Sequence, residues 1–283
     1  MFVMMVNVIG KRFVNEKDSR NGHFNWNHSM TIRLLFVCVL LMSSLVLAQN
    51  VEDGQELKNY AGTIGGHVKI GMTLIITNKD VVGTYFYNKW LQDILIKGSI
   101  EQRNIILNEF SKDGKIDGIF KGKFLNHAPE YGNRQIEYEV FEGVWSRQDG
   151  SGAKNFRLVM DSATYRPKGC GRYFIAGFSN DKTVEAFVKN FQQAVIAEDK
   201  KKVASMVAYP IHVNVRGKYL TITNKADFVR NHDRIFYKDF LERIKNAVPH
   251  NMFAKASGVM FGSKGEIWIG ISNEKKRVIA INN

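Results

Sequence analysis

The sequence VKIGMTLIITNKDVVGTYFY, residues 68–87, alternates apolar and other side chains on both sides of a turn at residues 78–80. An alternation with period two, rich in β-branched and aromatic residues, is typical of a β-strand, and an Asn- and Asp-containing turn is typical of a hairpin. Further strands are predicted at residues 93–99, 104–110, 116–125, 137–146 and 156–160. Seven closely spaced strands predict an all-β antiparallel meander, either a sandwich or a barrel, over residues 62–166.

A weak repeat runs through these strands, in which a glycine is followed two residues later by an aromatic residue. Its four copies begin at Gly83, Gly118, Gly122 and Gly143. Because side chains alternate faces along a strand, an aromatic ring from a neighbouring strand can lie over the bare glycine backbone while the strand bends. The repeat therefore predicts a curved sheet, and a stacking platform for sugars or bases is the functional alternative.

An uncharged apolar run at residues 34–47 follows Met30 and Arg33, and Ala48 comes directly after it. A basic start, an apolar centre and small residues at the end are typical of a signal peptide, here residues 30–48. The run is shorter than the roughly 20 residues that span a bilayer, so no stable membrane insertion is expected after cleavage. Residues 1–29 are then an extension or a mis-assigned start, and the protein is predicted to be bacterial and periplasmic or secreted.

The composition bounds the class of protein. With 283 residues, of which 45% are hydrophobic, the chain is long enough for two folded domains. Without the signal peptide it keeps one cysteine, Cys170, which is either a thiol activated by nearby cations or an incidental linker residue. The formal charge is +13, of which +8 belongs to residues 181–283. No nucleic-acid recognition motif accompanies this charge, so a nucleic-acid partner is not predicted.

Residues 49–61 and 167–180 are predicted to be linkers, and after the second the apolar residues recur at helical spacing. The chain then predicts two helices, a hairpin, helical structure at residues 225–248 and closing strands. Phe187, the run Phe191-Gln-Gln-Ala194, the break at Glu198-Asp199 and Tyr209-Pro210 follow this order. Residues 181–283 thereby resemble the nuclear transport factor two-like, or SnoaL-like, superfamily. The resemblance implies an α+β cone, in which helices wrap a curved antiparallel sheet and leave a pocket or an interface.

The superfamily includes isomerases, dehydratases, epoxide hydrolases and proteins without catalysis, so the fold alone does not decide the activity. Isomerase chemistry needs a carboxylate base and acidic hydrogen-bond donors in an apolar pocket. The candidate catalytic residues are Tyr209, His232 and Asp233. His232 lies on the apolar stripe of its helix, so we expect it inside the module, where a hydrogen-bonded core histidine is the alternative. A convergent acid and base is not predicted.

A candidate binding surface lies on the opposite face of the C-terminal sheet. Glu266 and Trp268 alternate with isoleucines, and His212 alternates with Ile211 and Val213, so we expect all three to face outward. A large apolar side chain on a sheet surface usually packs against something. The partners that the sequence allows are the first domain, a second copy of the chain in a homodimer, and another protein.

Three functions remain open after these observations. The histidines are dispersed and no glycine-rich phosphate loop is present, so neither a metal site nor a cofactor is predicted. The leading hypothesis is an exported, non-enzymatic binding protein for an unknown protein or small-molecule ligand. The C-terminal domain would hold the site, and the β-domain would be its scaffold or docking module. The alternatives are a small-molecule isomerase, dehydratase or hydrolase, and an inhibitor or neutraliser of a secreted enzyme or toxin.

Overall fold

The N-terminal part of the described chain is a closed antiparallel β-barrel. The computed structural model describes residues 54–127, 130, 131, 134, 135 and 138–283, and the predicted signal peptide and the extension before it lie outside these residues. The barrel strands are β1 (Gly54–Ile64), β2 (Val68–Thr77), β3 (Asp80–Tyr87), β4 (Ile94–Glu101), β5 (Asn104–Phe110), β6 (Ile116–His127), β9 (Tyr138–Arg147) and β10 (Lys154–Pro167). A short hairpin, β7 (Glu130–Tyr131) and β8 (Arg134–Gln135), lies between β6 and β9 in the chain.

The barrel closes because β1 pairs with β2 on one side and with β10 on the other. Of the two architectures that the sequence allows, a sandwich and a barrel, the structure is the barrel. It also corrects one linker, because residues 54–61 of the predicted linker 49–61 belong to β1. Lys58, Tyr60, Gly62 and Ile64 occupy inward positions of β1. Only Tyr60 and Ile64 among them are large apolar residues. The alternation that reveals a strand is therefore broken in the sequence.

Apolar side chains fill the barrel. Eight strands enclose an interior that side chains alone can occupy. The buried residues that share this core are Tyr60, Ile64, Ile70, Met72, Leu74, Val81, Tyr85, Ile96, Ile105, Leu107, Phe120, Phe124, Phe141, Phe156 and Leu158. Its aromatic rings meet mostly edge to face, for example Phe120 and Phe156 at 5.2 Å between ring centroids.

The glycines of the glycine–aromatic repeat lie where neighbouring groups approach the backbone closely. A side chain at Gly118 of β6 would begin 2.9 Å from the indole Nε1 of Trp145, because the Trp145 ring on β9 lies over the bare backbone. At Gly143 the two backbones themselves approach, and a Cβ there would lie 2.1 Å from the carbonyl oxygen of Lys121. The aromatic partners Tyr85, Phe120 and Phe124 point into the core. The structure therefore shows the predicted packing of a ring over a bare glycine at Gly118 and places the aromatic partners in the core, while the bending role of the repeat stays a prediction.

The C-terminal part is an α+β module. It contains α1 (Asp181–Ile196), α2 (Lys200–Ser205), β11 (Ile211–Val215), β12 (Lys218–Ile222), α3 (Lys225–Ile235), α4 (Lys238–Asn246), β13 (Phe253–Lys255), β14 (Gly258–Phe261), β15 (Ile267–Ser272) and β16 (Lys275–Asn282). The sheet order is β12-β11-β16-β15-β14-β13. The antiparallel sheet predicted for this part is corrected to a mixed one, because β16 inserts between β11 and β15. Strand β16 pairs antiparallel with β15 and parallel with β11.

The helices α1 and α3 begin at asparagine side-chain caps. Asn224 accepts a hydrogen bond from the backbone N–H of Asp227 at 2.9 Å and caps α3. Asn180 caps α1, where its side chain accepts from the backbone N–H of Thr183. Asp181 is the first helical residue, and its carboxylate instead accepts the backbone N–H groups of Arg172 and Tyr173 at 2.9 and 3.2 Å. Asp181 thereby ties the preceding segment to α1.

The described residues from 54 to 283 pack as one compact unit. The helices and sheet of the C-terminal module share one apolar core that runs from Tyr173 to Ile281. None of the described helices is long and apolar enough to cross a membrane.

Candidate functional site

One outer face of the barrel is buried by the C-terminal module. Asn59, Thr73 and Phe86 alternate with inward-pointing residues, yet each is less than a tenth exposed. The hydroxyl of Thr73 lies 2.9 Å from the amide oxygen of Asn251, and the Phe86 ring packs edge-on against the imidazole of His250 at 4.4 Å. The loop that carries residues 250 and 251 is therefore the part of the C-terminal module that docks on the barrel.

The segment predicted as the linker 167–180 packs into the same interface. Tyr173 is fully buried, and its hydroxyl donates to the carboxylate of Glu185 at 2.9 Å and accepts the backbone N–H of Met252 at 3.0 Å. Arg172, beside it, reaches Glu185 at 3.1 Å and Asp93 of the barrel at 3.2 Å. The segment therefore joins the two modules through its side chains as well as through the backbone.

Glu185 of α1 is the centre of this network. One carboxylate oxygen, Oε1, receives the Arg172 guanidinium, the Tyr173 hydroxyl and the backbone N–H of Asn251, and the other, Oε2, lies 2.7 Å from Nδ1 of His250. Four donors from two segments of the chain thus share one largely buried carboxylate. Such a group is costly to bury unless it is fully hydrogen-bonded, and this one is.

His250 carries a positive charge in this arrangement. Nδ1 faces Glu185 and Nε2 faces Asp93 at 2.9 Å, and because an ionised carboxylate can only accept, these contacts favour the ring form with a hydrogen on both nitrogens. Burial alone would lower the pKa of His250, but its hydrogen bonds to Asp93 and Glu185 outweigh burial and raise that pKa. Burial likewise opposes ionisation of Asp93 and Glu185, yet contacts with His250 and Arg172 lower the pKa of both carboxyls.

These shifts predict a window of maximum stability in weakly acidic solution. A raised pKa at His250 stabilises the fold below the unfolded value of about 6.5, and that stabilisation is lost as pH rises through the folded pKa. Lowered pKa values at Asp93 and Glu185 stabilise the fold above about pH 4. This stabilisation is lost as pH falls through the folded pKa values of the two carboxyls. The free energy of unfolding, measured by urea titration, should therefore peak between about pH 4.5 and 6.5.

The variant His250→Gln identifies the group responsible for the alkaline side of this profile. It removes the titrating imidazole, so the decline between about pH 6.5 and 8.5 should become clearly shallower. An alkaline decline of unchanged steepness in His250→Gln would assign that titration to another group.

A cleft of about 850 Å³ opens beside this network, between the barrel and the C-terminal module. Its walls come from β1, β2, β3 and β10 of the barrel and, on the other side, from α4, the loop after it, β13, β14 and the turn before β15. The apolar part of the lining includes Ile70, Phe86, Val248, Met252, Phe253 and Met260. The polar part includes Asp161, Glu242, Arg243, Asn246, Asn251 and Glu266.

Most charges at the cleft already have partners. Glu266, almost fully buried, lies 3.5 Å from the Arg243 guanidinium and accepts the backbone N–H of Lys264. Glu242 lies 3.8 Å from Lys245 in an exposed pair. Asp161 of β10 makes no ion pair among the described residues, and its carboxylate accepts a hydrogen bond from the adjacent Ser162 hydroxyl at 3.0 Å. Burial raises the pKa of this carboxyl above its usual range, although the side chain stays accessible from the cleft.

The three candidate catalytic residues lie elsewhere, and none of them lines the cleft. His232 is buried as predicted; Nδ1 lies 3.1 Å from the Asp233 carboxylate, and Nε2 has no partner among the described residues. Asp233 is exposed and pairs with Lys200 at 2.7 Å. The Tyr209 hydroxyl donates to the carbonyl of Ala204 at 2.8 Å. No hydrogen bond in the described part of the chain joins Tyr209 to His232 or Asp233.

The three residues of the candidate binding surface lie in different environments. His212 is exposed on β11, as expected, and lies 3.1 Å from the Thr221 hydroxyl. Trp268 is half-buried, with the Lys255 ammonium 4.6 Å from its ring centroid and Met260 opposite it on β14. Glu266 was expected on an open surface, but it is only 3% exposed, because the turn before β15 and Arg243 cover it inside the cleft.

Two further features lie outside the cleft. A more open groove of about 790 Å³ lies on the outer wall of the barrel, and its lining includes Gly122, Glu142, Gly143 and Arg157. Cys170 is a half-buried free thiol in the connecting segment, and its carbonyl oxygen accepts a hydrogen bond from Arg166. Among the described residues, no group of three or more histidine, cysteine, aspartate or glutamate side chains could hold a metal ion.

Sequence reasoning missed the residues that form the interface network and the free carboxylate of the cleft. His250 is 65 residues from Glu185 and 157 residues from Asp93, so no local pattern joins them. Asp161 directly follows the predicted strand 156–160, and its only signal is a charge between apolar Met160 and Ala163. That signal indicates an irregular strand, but it does not indicate a cleft.

Comparisons with protein-family models, curated proteins and solved structures found no match for this chain.

Proposed function

We propose that this chain is a binding protein whose ligand site is the cleft between the barrel and the C-terminal module. The observation that carries the proposal is the cleft of about 850 Å³ itself, with apolar walls and a few polar groups. Clefts of roughly 300–1,000 Å³ with such linings are the usual sites for small molecules in proteins, and they occur preferentially between domains. The barrel would then act as one wall and as the docking platform.

The fixed interface supports this role. The network around Glu185 holds both walls at a set distance, since Asp93 is on the barrel side and His250 is beside the cleft. A preformed cleft binds a ligand without the cost of ordering its walls. Both nitrogens of His250 are occupied by carboxylates, so this imidazole is committed to the interface and is not a general base. Binding is therefore the activity that the geometry favours over catalysis.

The superfamily resemblance and the predicted export belong to the same proposal. The chain order of two helices, a hairpin, two helices and then strands agrees with a nuclear transport factor two-like module at residues 181–283. The signal-peptide pattern of residues 30–48 supports a periplasmic or secreted location. Ligands would then be molecules of the cell envelope or its surroundings.

A cleft-blocking variant tests the binding site. Ala163 is exposed on β10 and lines the cleft, so Ala163→Trp places an indole in the space proposed for a ligand. The probes are three fluorescent dansyl compounds with the same alkyl chain, ending in an amine, an acetylated amine or a carboxylate. We expect saturable binding of at least one by the full chain, and a loss of about tenfold or more in affinity in Ala163→Trp.

The matched control is Ile106→Trp, an equally bulky change at an exposed position of β5 that lines neither the cleft nor the outer groove. It should leave each affinity within about twofold. Saturable binding of none of the three probes, or equal affinities in Ala163→Trp and Ile106→Trp, would overturn the cleft as the site.

A further inference from the structure

We infer that the cleft selects ligands that carry a cationic amine or guanidinium group on an apolar body, with Asp161 as the residue that binds the cation. The inference rests on the proposed function, because it assigns a chemical class to the ligand of that cleft. Three observations carry it: the charge balance of the cleft, the irregularity that exposes Asp161, and the apolar wall opposite.

The charges at the cleft leave one negative charge without a partner. Arg243 and Glu266 form one pair, and Glu242 and Lys245 form another. In the interface network two cations, Arg172 and protonated His250, offset the two carboxylates of Asp93 and Glu185. Asp161 is left over, and a ligand cation is the group that would complete this arrangement.

A β-bulge brings Asp161 to the cleft. Between β1 and β10, Tyr60 pairs with Met160 and Asn59 pairs with Ser162, so Asp161 is an extra residue without a partner across the ladder. A bulge redirects a side chain, and bulges are over-represented beside functional sites. Without the extra residue, the strand would continue its regular pairing with β1. The bulge therefore accounts for the position of the Asp161 carboxylate at the cleft.

The environment of Asp161 strengthens its preference for a cation. Asp161 is exposed as a residue, but its carboxyl lies in the wall of the cleft, where burial raises its pKa and the hydrogen bond from Ser162 offsets only part of that effect. A hydrogen bond between an ammonium or guanidinium and a carboxylate in such a place is stronger than one in open water. The ligand cation would restore the missing compensation.

The remaining surface fits the uncharged part of such a ligand. Met252, Phe253 and Met260 line the same cleft from the C-terminal module, and Phe86 lines it from the barrel. Methionine and aromatic side chains accommodate apolar groups of varied shape. An amine at one end of an aromatic or alkyl body would therefore use both parts of the lining.

The three dansyl probes test the charge preference directly. The amine probe, dansylcadaverine, should bind the full chain about tenfold more tightly than its acetylated form, and the carboxylate probe should bind most weakly. In Asp161→Asn, which keeps the shape of the side chain and removes its charge, the amine and acetylated probes should bind within about threefold of each other. The affinity for the acetylated probe should hardly change.

The variant Glu142→Gln serves as the control for net charge. Glu142 lies on the outer wall of the barrel, pairs with Arg157 at 3.9 Å and does not line the cleft. It should keep the tenfold preference of the unaltered chain. A preference that survives in Asp161→Asn, or that falls equally in both variants, would overturn the role of Asp161, as would tightest binding of the carboxylate probe. Each of these results still leaves a ligand site that Ala163→Trp blocks, so the failure of this inference is distinguishable from the failure of the proposed function.

Discussion

Replacing Glu185 with alanine is expected to lower the free energy of unfolding by about 3–5 kcal/mol. The change removes the acceptor of four hydrogen bonds and leaves the Arg172 guanidinium and the His250 imidazolium largely buried, with only Asp93 between them. Removing one partner from a buried charge network costs far more than the net contribution of the pair, because the remaining charges lose their compensation. Urea unfolding followed by circular dichroism measures the effect.

Lys245→Ala is the control for this substitution. Its ion pair with Glu242 is more than half exposed on both sides, and such pairs contribute about 0–1 kcal/mol. The lysine side chain makes no other recorded polar contact among the described residues. If Glu185→Ala were no more destabilising than Lys245→Ala, the network would not be what holds the two modules together.

Gly143→Ala is expected to destabilise the barrel by about 3 kcal/mol. The added Cβ would lie 2.1 Å from the carbonyl oxygen of Lys121 and 2.5 Å from the Cα of Gly122, both of which are backbone atoms. Backbone atoms cannot rotate away as a flexible side chain can, so β6 and β9 would have to separate at their closest approach. Thermal and urea unfolding of the full chain give the loss.

Gly54→Ala is the matched glycine control. Gly54 begins β1, and a Cβ there would meet nothing within 4 Å. The substitution should change stability by no more than about 0.5 kcal/mol, and a gain is expected if the unfolded chain loses freedom. Equal losses at Gly143 and Gly54 would show that the close approach of the strands has no energetic consequence.

The barrel could be predicted in outline because its strands are locally regular. The alternation at residues 68–87 and the turn between its two strands are visible in the sequence, and both strands form where expected. Closure could not be seen, because it depends on β1, in which Lys58 and Gly62 interrupt the apolar pattern. Likewise, the pairing of β16 with β11 is set by the sheet as a whole and leaves no mark on either strand.

The candidate site was less visible for a related reason. His232 could be placed inside the C-terminal module, because a helical stripe determines which face is buried. Glu266 could not, since a residue that alternates outward from one core is buried when a turn and Arg243 cover that face. Asp161 depends on a bulge, which shifts the register by one residue and reverses the expectation from period two. Interfaces between modules and local irregularities thus escape reasoning from local patterns.

The central claim is that the cleft between the barrel and the C-terminal module is the ligand site, and a crystal structure of the full chain with dansylcadaverine tests it most directly. The account predicts the dansyl ring against Met252, Phe253 and Met260, with the amine within hydrogen-bond distance of the Asp161 carboxylate. Density for the probe in the outer groove of the barrel or beside His232, with the cleft left empty, would contradict it.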